Sequence, residues 1–197
     1  MMKSFGVLLV GVAALIHSGC GSNVKLVKSA EFSMERYKRI AVMDFQGNNI
    51  NVGTALAESL VPALMESGFE VVERSALEKL LKEQKLGLTG ALNSSQISQI
   101  GQIAGVNAVI FGNFQMEKKE KKRMFAVRKR GGVFRSKVKV SGRTDTENVF
   151  TNISLRLVDT ETGKIILSST SKNDVDTDAV DEYFDKLSKE IRKTVNK

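Results

Sequence analysis

The sequence predicts an α/β fold: a mixed β-sheet of about five strands with packed helices, plus one basic β-hairpin insert. Apolar runs alternate with amphipathic segments at helical spacing over residues 38–115, which indicates successive strands and helices. Two strand-like segments flank a short turn within 148–171, as is typical of a hairpin. Between these regions, residues 117–143 hold twelve Lys or Arg and two Glu, a local net charge of +10.

The first β-α-β unit begins with a buried strand at 38–45. A helix is predicted at 53–67, Gly68 ends it, and a second strand follows at 69–73. Pro62 lies inside the helical pattern, so we expect either a kink or a later start of the helix. The apolar stripe of this helix consists of Leu56, Leu60 and Leu64.

The middle of the domain contributes two more helices and a third strand. Helices are predicted at 76–84 and at 96–104 from their apolar spacing. Ser95 is the expected cap of the later helix, and Gly105 is its expected end. The third strand follows at 107–115.

The C-terminal part is predicted to contain a hairpin and a closing helix. A long strand at 148–159 leads through a turn at 159–163 into a returning strand at 164–171. The last helix begins at about residue 178 and is amphipathic. Alternation places on one face of the long strand Val149, Thr151, Ile153, Leu155 and Leu157.

The N-terminus resembles a bacterial lipoprotein signal peptide at residues 1–19. A basic start precedes an apolar stretch at 5–16, which is shorter than the roughly 20 residues of a transmembrane helix. We expect Cys20, the only cysteine, to carry a covalent lipid. A plain secretory signal cleaved elsewhere and a free cysteine are the alternatives. Residues 20–36 are then a tether, and 37–197 form the folded domain.

The composition argues against an enzyme. After residue 19 the chain has no histidine or tryptophan and no cysteine beyond Cys20, so imidazole catalysis and His/Cys zinc sites are excluded. We expect no metal and no cofactor apart from the lipid. An envelope enzyme that uses carboxylates alone is the remaining alternative, but the helix macrodipole accounts for the acidic cluster of Asp174, Asp176, Asp178 and Asp181.

The basic insert at 115–148 is the candidate contact surface. A Gly-Gly turn at 131–132 predicts a hairpin in which Arg128 lies opposite Arg135. Charged residues precede Met124 on both faces, so the hairpin could dip into a membrane but is poorly suited to cross one. Export favours anionic lipid, a cell-wall polymer or an acidic envelope protein over nucleic acid, and a solvated loop is the alternative. The candidate binding residues are Arg128, Arg130, Arg135, Lys137 and Lys139.

Four segments between residues 38 and 172 occur in a characteristic order. They read KRIAVMDF, GTALAESLVPALMESGFEVVERSALEKLLKEQKLG, AGVNAVIFGNF and ISLRLVDTETGKIILSS. This series resembles the curli-secretion lipoprotein family, of the CsgG type, which implies a lipid-anchored periplasmic α/β domain. The channel-forming member has a second membrane hairpin, but here the chain after Ser171 runs directly into the last helix. The loop QGNNIN contains no aromatic residue, so no constriction residue is carried over to Asn48, Asn49 or Asn51.

The resemblance implies a non-enzymatic lipoprotein of secretion or envelope assembly, on the periplasmic face of the outer membrane. Gly21 follows Cys20 where an inner-membrane retention signal would have an acidic residue, which favours the outer membrane. A homo-oligomeric ring is the form that the resemblance implies. The alternative is a monomeric lipoprotein activator of a peptidoglycan synthase, which the missing second hairpin favours.

Overall fold

The computed structural model describes residues 23–72, 77, 79, 93–129 and 137–195, with side chains except at 50, 123, 125–129 and 137–141. The strands within these ranges are β1 (Val24–Lys28), β2 (Arg39–Val42), β3 (Glu70–Val71), β4 (Ala108–Lys129), β5 (Lys137–Asp159), β6 (Ile165–Ser171) and β7 (Val175–Asp176). The helices there are α1 (Ile50–Glu66), α2 (Ser94–Ala104) and α3 (Val180–Val195), the last preceded by a 3₁₀ turn at Thr177–Ala179.

The strands form one mixed sheet in the order β1-β6-β5-β4-β2-β3, and β7 pairs with β5. Strands β2, β3 and β4 are parallel, whereas the other pairs are antiparallel. The predicted α/β class with a mixed sheet and packed helices is confirmed. The sheet has seven strands in the described ranges, more than predicted, because β1 and β7 were not recognised as strands.

Helix α1 confirms the predicted stripe, because Leu56, Leu60 and Leu64 are all buried. The helix is continuous from Ile50 to Glu66 with Pro62 inside it. Gly68 ends the helix with φ of 97°. The Gly68 amide donates to Met65 O at 3.0 Å and the Phe69 amide to Leu64 O at 3.1 Å, which is the hydrogen-bond pattern of a Schellman motif.

Helix α2 begins two residues earlier than predicted. Its N-cap is Asn93 rather than Ser95: the Asn93 side chain accepts from the Gln96 amide, and the Gln96 side chain accepts from the Asn93 amide. Gly105 ends the helix with φ of 62°, as predicted. The predicted helix at 76–84 lies outside the described residues except for residues 77 and 79, which are helical.

A β-bulge changes which residues of β5 face the core. The register shifts at Gln115/Met116, so that Gln115 pairs with Asn152 and Met116 pairs with Phe150. One extra residue reverses the alternation of the side chains. Phe150 therefore joins the same core cluster as Ile153, whereas the predicted alternation puts Val149, which is also buried, on the face of Ile153. The Phe150 ring packs edge-on against Phe114 at 5.8 Å between centroids.

The core is divided between the two faces of the sheet. The larger cluster lies under α1 and α3, on the side that we call the front face. A smaller cluster on the back face packs α2 against β2 and β4, through residues that include Ile100, Ala104, Ala41 and Val109. Among the described residues, no helix is long and apolar enough to span a bilayer.

The segment at 24–28, predicted as part of a tether, instead forms the edge strand β1. It pairs along its length with β6, from Val24 opposite Ser171 to Lys28 opposite Leu167. Val24 is buried and Leu26 packs against the front-face core, which explains the pairing. The chain is therefore part of the sheet from residue 24 onwards.

Asp159 connects the start of the domain to the β5–β6 turn. Its carboxylate is buried and accepts hydrogen bonds from Tyr37 Oη at 2.6 Å, from Arg36 Nη2 at 3.1 Å and from the amides of Glu161 and Thr162. Burial opposes ionisation, but these hydrogen bonds and the Arg36 charge outweigh it and lower the pKa of Asp159. Burial, reinforced by the Asp159 carboxylate, raises the pKa of Tyr37 to about 12.

Candidate functional site

The basic hairpin formed by the outer parts of β4 and β5 is the candidate site. The backbone of Arg128, Lys137 and Lys139 lies in these two strands. Cys20, Arg130 and Arg135 lie outside the described residues. The predicted β-hairpin is confirmed as far as residues 129 and 137, and the Gly-Gly turn lies in the interval that is not described.

The register of the hairpin differs from the prediction. Arg128 pairs with Val138, and Lys129 pairs with Lys137, so the expected pairing of Arg128 with Arg135 is wrong. The observed register differs from the predicted one by an odd number of residues, and successive residues of a strand point to opposite faces. Positions 137 and 139 therefore lie on the face opposite to position 128. Positions 128, 137 and 139, three of the candidate binding positions, therefore do not share one face. Pairing continues without a break from the bulge outwards, so the core sets the register rather than the local turn.

The hairpin projects far beyond the sheet. Beyond the bulge, pairing runs from Met116 opposite Phe150 to Lys129 opposite Lys137, a length of about 45 Å at roughly 3.3 Å per residue. Among the described strands, only β7 pairs with the root of the hairpin, opposite residues 149–150. In the described part of the chain, the outer edges of β4 from 117 and of β5 up to 148 pair with no other strand. Two long backbone edges are therefore open.

The first-strand loop holds the hairpin at its root. Asn48 Nδ2 donates to Met116 O at 2.7 Å, and the Met116 amide donates to Asn48 Oδ1 at 3.2 Å. The amide side chain thus replaces a strand partner beside the bulge. Gln46 forms a parallel bridge with Asn113 just before it. The loop amide Asn48, whose role the sequence does not reveal, is a structural support of the hairpin.

One face of the hairpin root is tied to the segment before α3. Lys119 binds Asp174, and Lys121 binds Asp176 at 3.0 Å and Glu147 at 3.2 Å. The hydrogen bond that Lys119 donates to Asp174 raises the pKa of Lys119, and those that Lys121 donates to Asp176 and Glu147 raise the pKa of Lys121. The sequence predicts that the dipole of the last helix accounts for Asp174 and Asp176, but the structure places both in these ion pairs. Asp178 and Asp181 remain at the start of the helical segment.

The opposite face of the root is open to solvent. Lys118 and Lys122 alternate with the tied lysines and form no ion pair with any described residue. Met124, the next residue on this face, is 79% exposed. The hairpin therefore has one face held by its own domain and one face that is available to a partner.

The N-terminal end of β1 lies at the same root. The Lys172 amide donates to Asn23 O at 2.7 Å, and Asn173 Nδ2 donates to Asn23 Oδ1 at 3.0 Å. Residues 172 and 173 immediately precede Asp174, which binds the hairpin. Sequence reasoning missed this contact, because Asn23 and Asn173 are 150 residues apart in the chain.

The described residues contain no group of three or more His, Cys, Asp or Glu side chains arranged to hold a metal ion. Three acidic residues at the hairpin root, Glu147, Asp174 and Asp176, are engaged with lysines. The chemistry that this arrangement offers is binding through charge, exposed apolar groups and open strand edges.

The fold of the chain is similar to those of several solved structures at low sequence identity. It is similar in structure to the PelC dodecamer from Paraburkholderia phytofirmans, at 13% identity and a TM-score of 0.46, over 86% of this chain and 96% of that one. It is also similar to the LpoB C-terminal domain from Salmonella enterica, at 18% identity and a TM-score of 0.46, over 76% and 88% of the two chains. No curated protein is significantly similar to it in sequence.

The sequence family is shown by a direct match over most of the domain. The model of the curli production assembly/transport component CsgG matches residues 29–181. This range covers the described sheet from β2 to β7 together with α1, α2 and the hairpin. The chain belongs to the CsgG family of curli production assembly/transport components.

Proposed function

We propose that this chain is a non-enzymatic component of envelope assembly or secretion, anchored through a lipid on Cys20 to the periplasmic face of the outer membrane. The family supports the assembly role, since it is named for curli assembly and transport. The layout of residues 1–20 supports export and lipidation. The hairpin supports action by binding, because its open face and edges offer contacts rather than catalytic groups.

The position of Asn23 is the observation that carries this proposal. Cys20 precedes Asn23 by three residues, so the chain keeps it within about 11 Å of Asn23, whose partner Asn173 directly precedes the hairpin-binding Asp174. A lipid on Cys20 would therefore hold that end of the domain against the bilayer. A hairpin of about 45 Å that leaves the same end would have to enter the membrane or lie along its surface. The anchor and the basic hairpin then act on the same membrane.

The finer proposal is that copies assemble through their hairpins. The outer edge of β4 faces the β2–β3 side of the sheet, and the outer edge of β5 faces the β6–β1 side. Rotation of one copy relative to another would bring the β5 edge of the first beside the β4 edge of the second, in antiparallel orientation. Such a contact uses two different surfaces, so repetition closes a ring when the rotation allows it.

Metabolic labelling tests the anchor. Cells that express the wild-type chain or Cys20→Ala are fed a tagged fatty acid, and the membranes are fractionated. We expect label only on the wild-type chain, in the outer-membrane fraction. Label on the alanine variant, or wild-type protein in the soluble fraction, would contradict the proposal.

A fluorescent probe tests the orientation. In the lipidated protein the Cys20 thiol is consumed, so Met124→Cys provides the one free thiol for an environment-sensitive dye. The matched control is Lys164→Cys, beside the β5–β6 turn at the other end of the strands. In proteoliposomes, nitroxide-labelled lipid should quench the dye at position 124 and leave that at position 164 unaffected. Equal quenching at both sites would refute the shared orientation of anchor and hairpin.

The second candidate function is monomeric activation of a peptidoglycan synthase. One observation favours it: between Ser171 and α3 the chain forms only β7 and a 3₁₀ turn, with no second hairpin. Electron microscopy of detergent-extracted protein separates the two roles. Rings support the assembly component, whereas monomers at high concentration that capture an envelope synthase support the activator.

A further inference from the structure

The back face of the sheet carries a second surface, away from the hairpin. Helix α2 covers this face over β2 and β4. Between α2 and the neighbouring strands β5 and β6 lies a groove with a volume of about 450 Å³. This volume is in the range of about 300–1,000 Å³ that is typical of binding pockets. The groove belongs to the folded domain, so the inference below does not depend on the anchor or the hairpin.

The floor of the groove is apolar. Ile97 of α2 and Val158 of β5 are buried, and Phe111 of β4 is partly buried beside them. Ile165 of β6, which pairs with Val158, is 49% exposed. A large aliphatic side chain exposed at the end of an apolar floor offers area that a ligand's apolar group would remove from water.

The rim of the groove is polar. Asn93 and Ser94 lie at the start of α2, and Asn113 lies on β4 across the groove. Amide and hydroxyl groups lose their water partners when a ligand covers them, so a suitable ligand must replace those hydrogen bonds. A peptide backbone does so with its own amides and carbonyls, whereas an acyl chain does not.

Arg156 sets the charge of the ligand. It lies opposite Phe111 in the register of β4 and β5, and its side chain is exposed on the groove. It forms no ion pair with any residue in the described ranges, in contrast to Arg36 and Arg143. Asp44, the carboxylate on the rim, already interacts with another group of the chain. A guanidinium in this setting matches a carboxylate in geometry and charge.

We propose that the back-face groove binds an extended acidic peptide segment of a partner protein. A carboxylate of the peptide pairs with Arg156, and a neighbouring apolar side chain lies on the floor formed by Phe111, Val158 and Ile165. The side-chain amides of Asn93 and Asn113 and the hydroxyl group of Ser94 form hydrogen bonds with the peptide backbone. This surface would let the domain hold a protein partner while the hairpin engages the membrane.

Peptide binding tests the proposal. The full chain is purified, in nanodiscs of zwitterionic phosphatidylcholine if it carries a lipid, and titrated against two fluorescein-labelled peptides, Glu-Val-Glu-Leu-Glu and Gln-Val-Gln-Leu-Gln. We expect the acidic peptide to bind more tightly. Arg156→Gln should weaken its binding about tenfold or more, the usual effect of losing a charge-assisted hydrogen bond, and leave the neutral peptide unaffected. Ile165→Ser should weaken both peptides, because it removes part of the floor.

The matched control is Arg192→Gln, an exposed arginine of α3 on the front face. It removes the same charge away from the groove, so peptide affinity should not change. Far-ultraviolet circular dichroism checks that each variant is folded; Arg156 and Ile165 are both exposed, so both variants should fold. Equal affinity for the two peptides, or unchanged binding in Arg156→Gln, would overturn the proposal. Saturable binding of sodium dodecanoate that displaces the peptide would overturn the choice of a peptide ligand.

Discussion

Replacing Asp159 by asparagine should destabilise the domain through a defined set of hydrogen bonds. Asp159 is 2% exposed, and its two carboxylate oxygens have different partners. Oδ1 accepts from the amides of Glu161 and Thr162 at 2.8 and 2.9 Å. Oδ2 accepts from Tyr37 Oη at 2.6 Å and Arg36 Nη2 at 3.1 Å. Asparagine can retain the first pair but places an NH₂ group where Oδ2 was.

The expected loss follows from these contacts. A buried hydrogen bond to a charged group contributes about 1.5–3 kcal/mol, and Tyr37 is fully buried. The Arg36 side chain is half exposed, so its ion pair adds only about 0–1 kcal/mol. We therefore expect Asp159→Asn to lower the free energy of unfolding by about 1.5–4 kcal/mol at pH 7. Asp178→Asn is the control, because Asp178 is exposed and has no ion pair with a described residue.

Urea unfolding followed by circular dichroism measures this difference. Because the pKa of Asp159 is lowered in the folded state, its contribution is present above the unfolded pKa of about 3.9 and is lost as the pH falls through the folded value. The difference in the free energy of unfolding between the wild-type chain and Asp159→Asn should therefore become smaller below about pH 4. A loss under about 0.5 kcal/mol at pH 7, similar to ordinary surface substitutions, would refute the reasoning.

Three further predictions concern packing, ionisation and the hairpin root. Gly112→Ala should lower the free energy of unfolding of the domain by about 1–3 kcal/mol or more, because an added Cβ would lie 2.3 Å from the buried Phe45 ring. Gly142→Ala is the control, because a Cβ there would have nothing within 4 Å. Equal effects of the two substitutions in urea unfolding would contradict the prediction. The chain has two tyrosines, and burial is the main cause that raises the pKa of both Tyr37 and Tyr183 to about 12. Because both pKa values are raised, the absorbance at 295 nm should show little tyrosinate at pH 10.5, and half of the full signal at that pH would contradict the assignment. The contribution of the two tyrosines to the free energy of unfolding is complete below the unfolded pKa of about 10 and is lost as the pH rises towards 12. The double variant Asp174→Asn/Asp176→Asn removes the carboxylates that bind Lys119 and Lys121, so hydrogen exchange of the backbone amides at 118–122 should become faster. High salt should have the same effect on the wild-type chain, because it screens the ion pairs. An exchange rate equal to that of Asp178→Asn would show that the ion pairs do not hold the hairpin.

Patterns among neighbouring residues of the sequence predicted which helices and strands the chain forms. The period of 3.6 in α1 and α3 and the alternation in β5 and β6 are properties of neighbouring residues, so they can be recognised without the fold. Gly68 and Gly105 mark helix ends because each has a positive φ that favours glycine. The family resemblance was available for the same reason, since its segments are contiguous in the chain, and the family match confirms it.

The candidate site was predicted only in outline. The charge of the insert and its hairpin form follow from composition and alternation, but its faces do not. A single bulge at Gln115/Met116 and the pairing that spreads from it decide that position 128 and positions 137 and 139 lie on opposite faces. No local signal in the insert reveals a register that is set in the core.

The sequence by itself determined the class of fold, the basic hairpin and the family to which the chain belongs. Only the tertiary structure decided that β1 closes one edge of the sheet, that Lys119 meets Asp174 and that Asn23 lies at the hairpin root. Each of these contacts joins residues more than 50 positions apart. Periodicity and turn chemistry act over a few residues, whereas these contacts depend on how the whole sheet brings distant segments together.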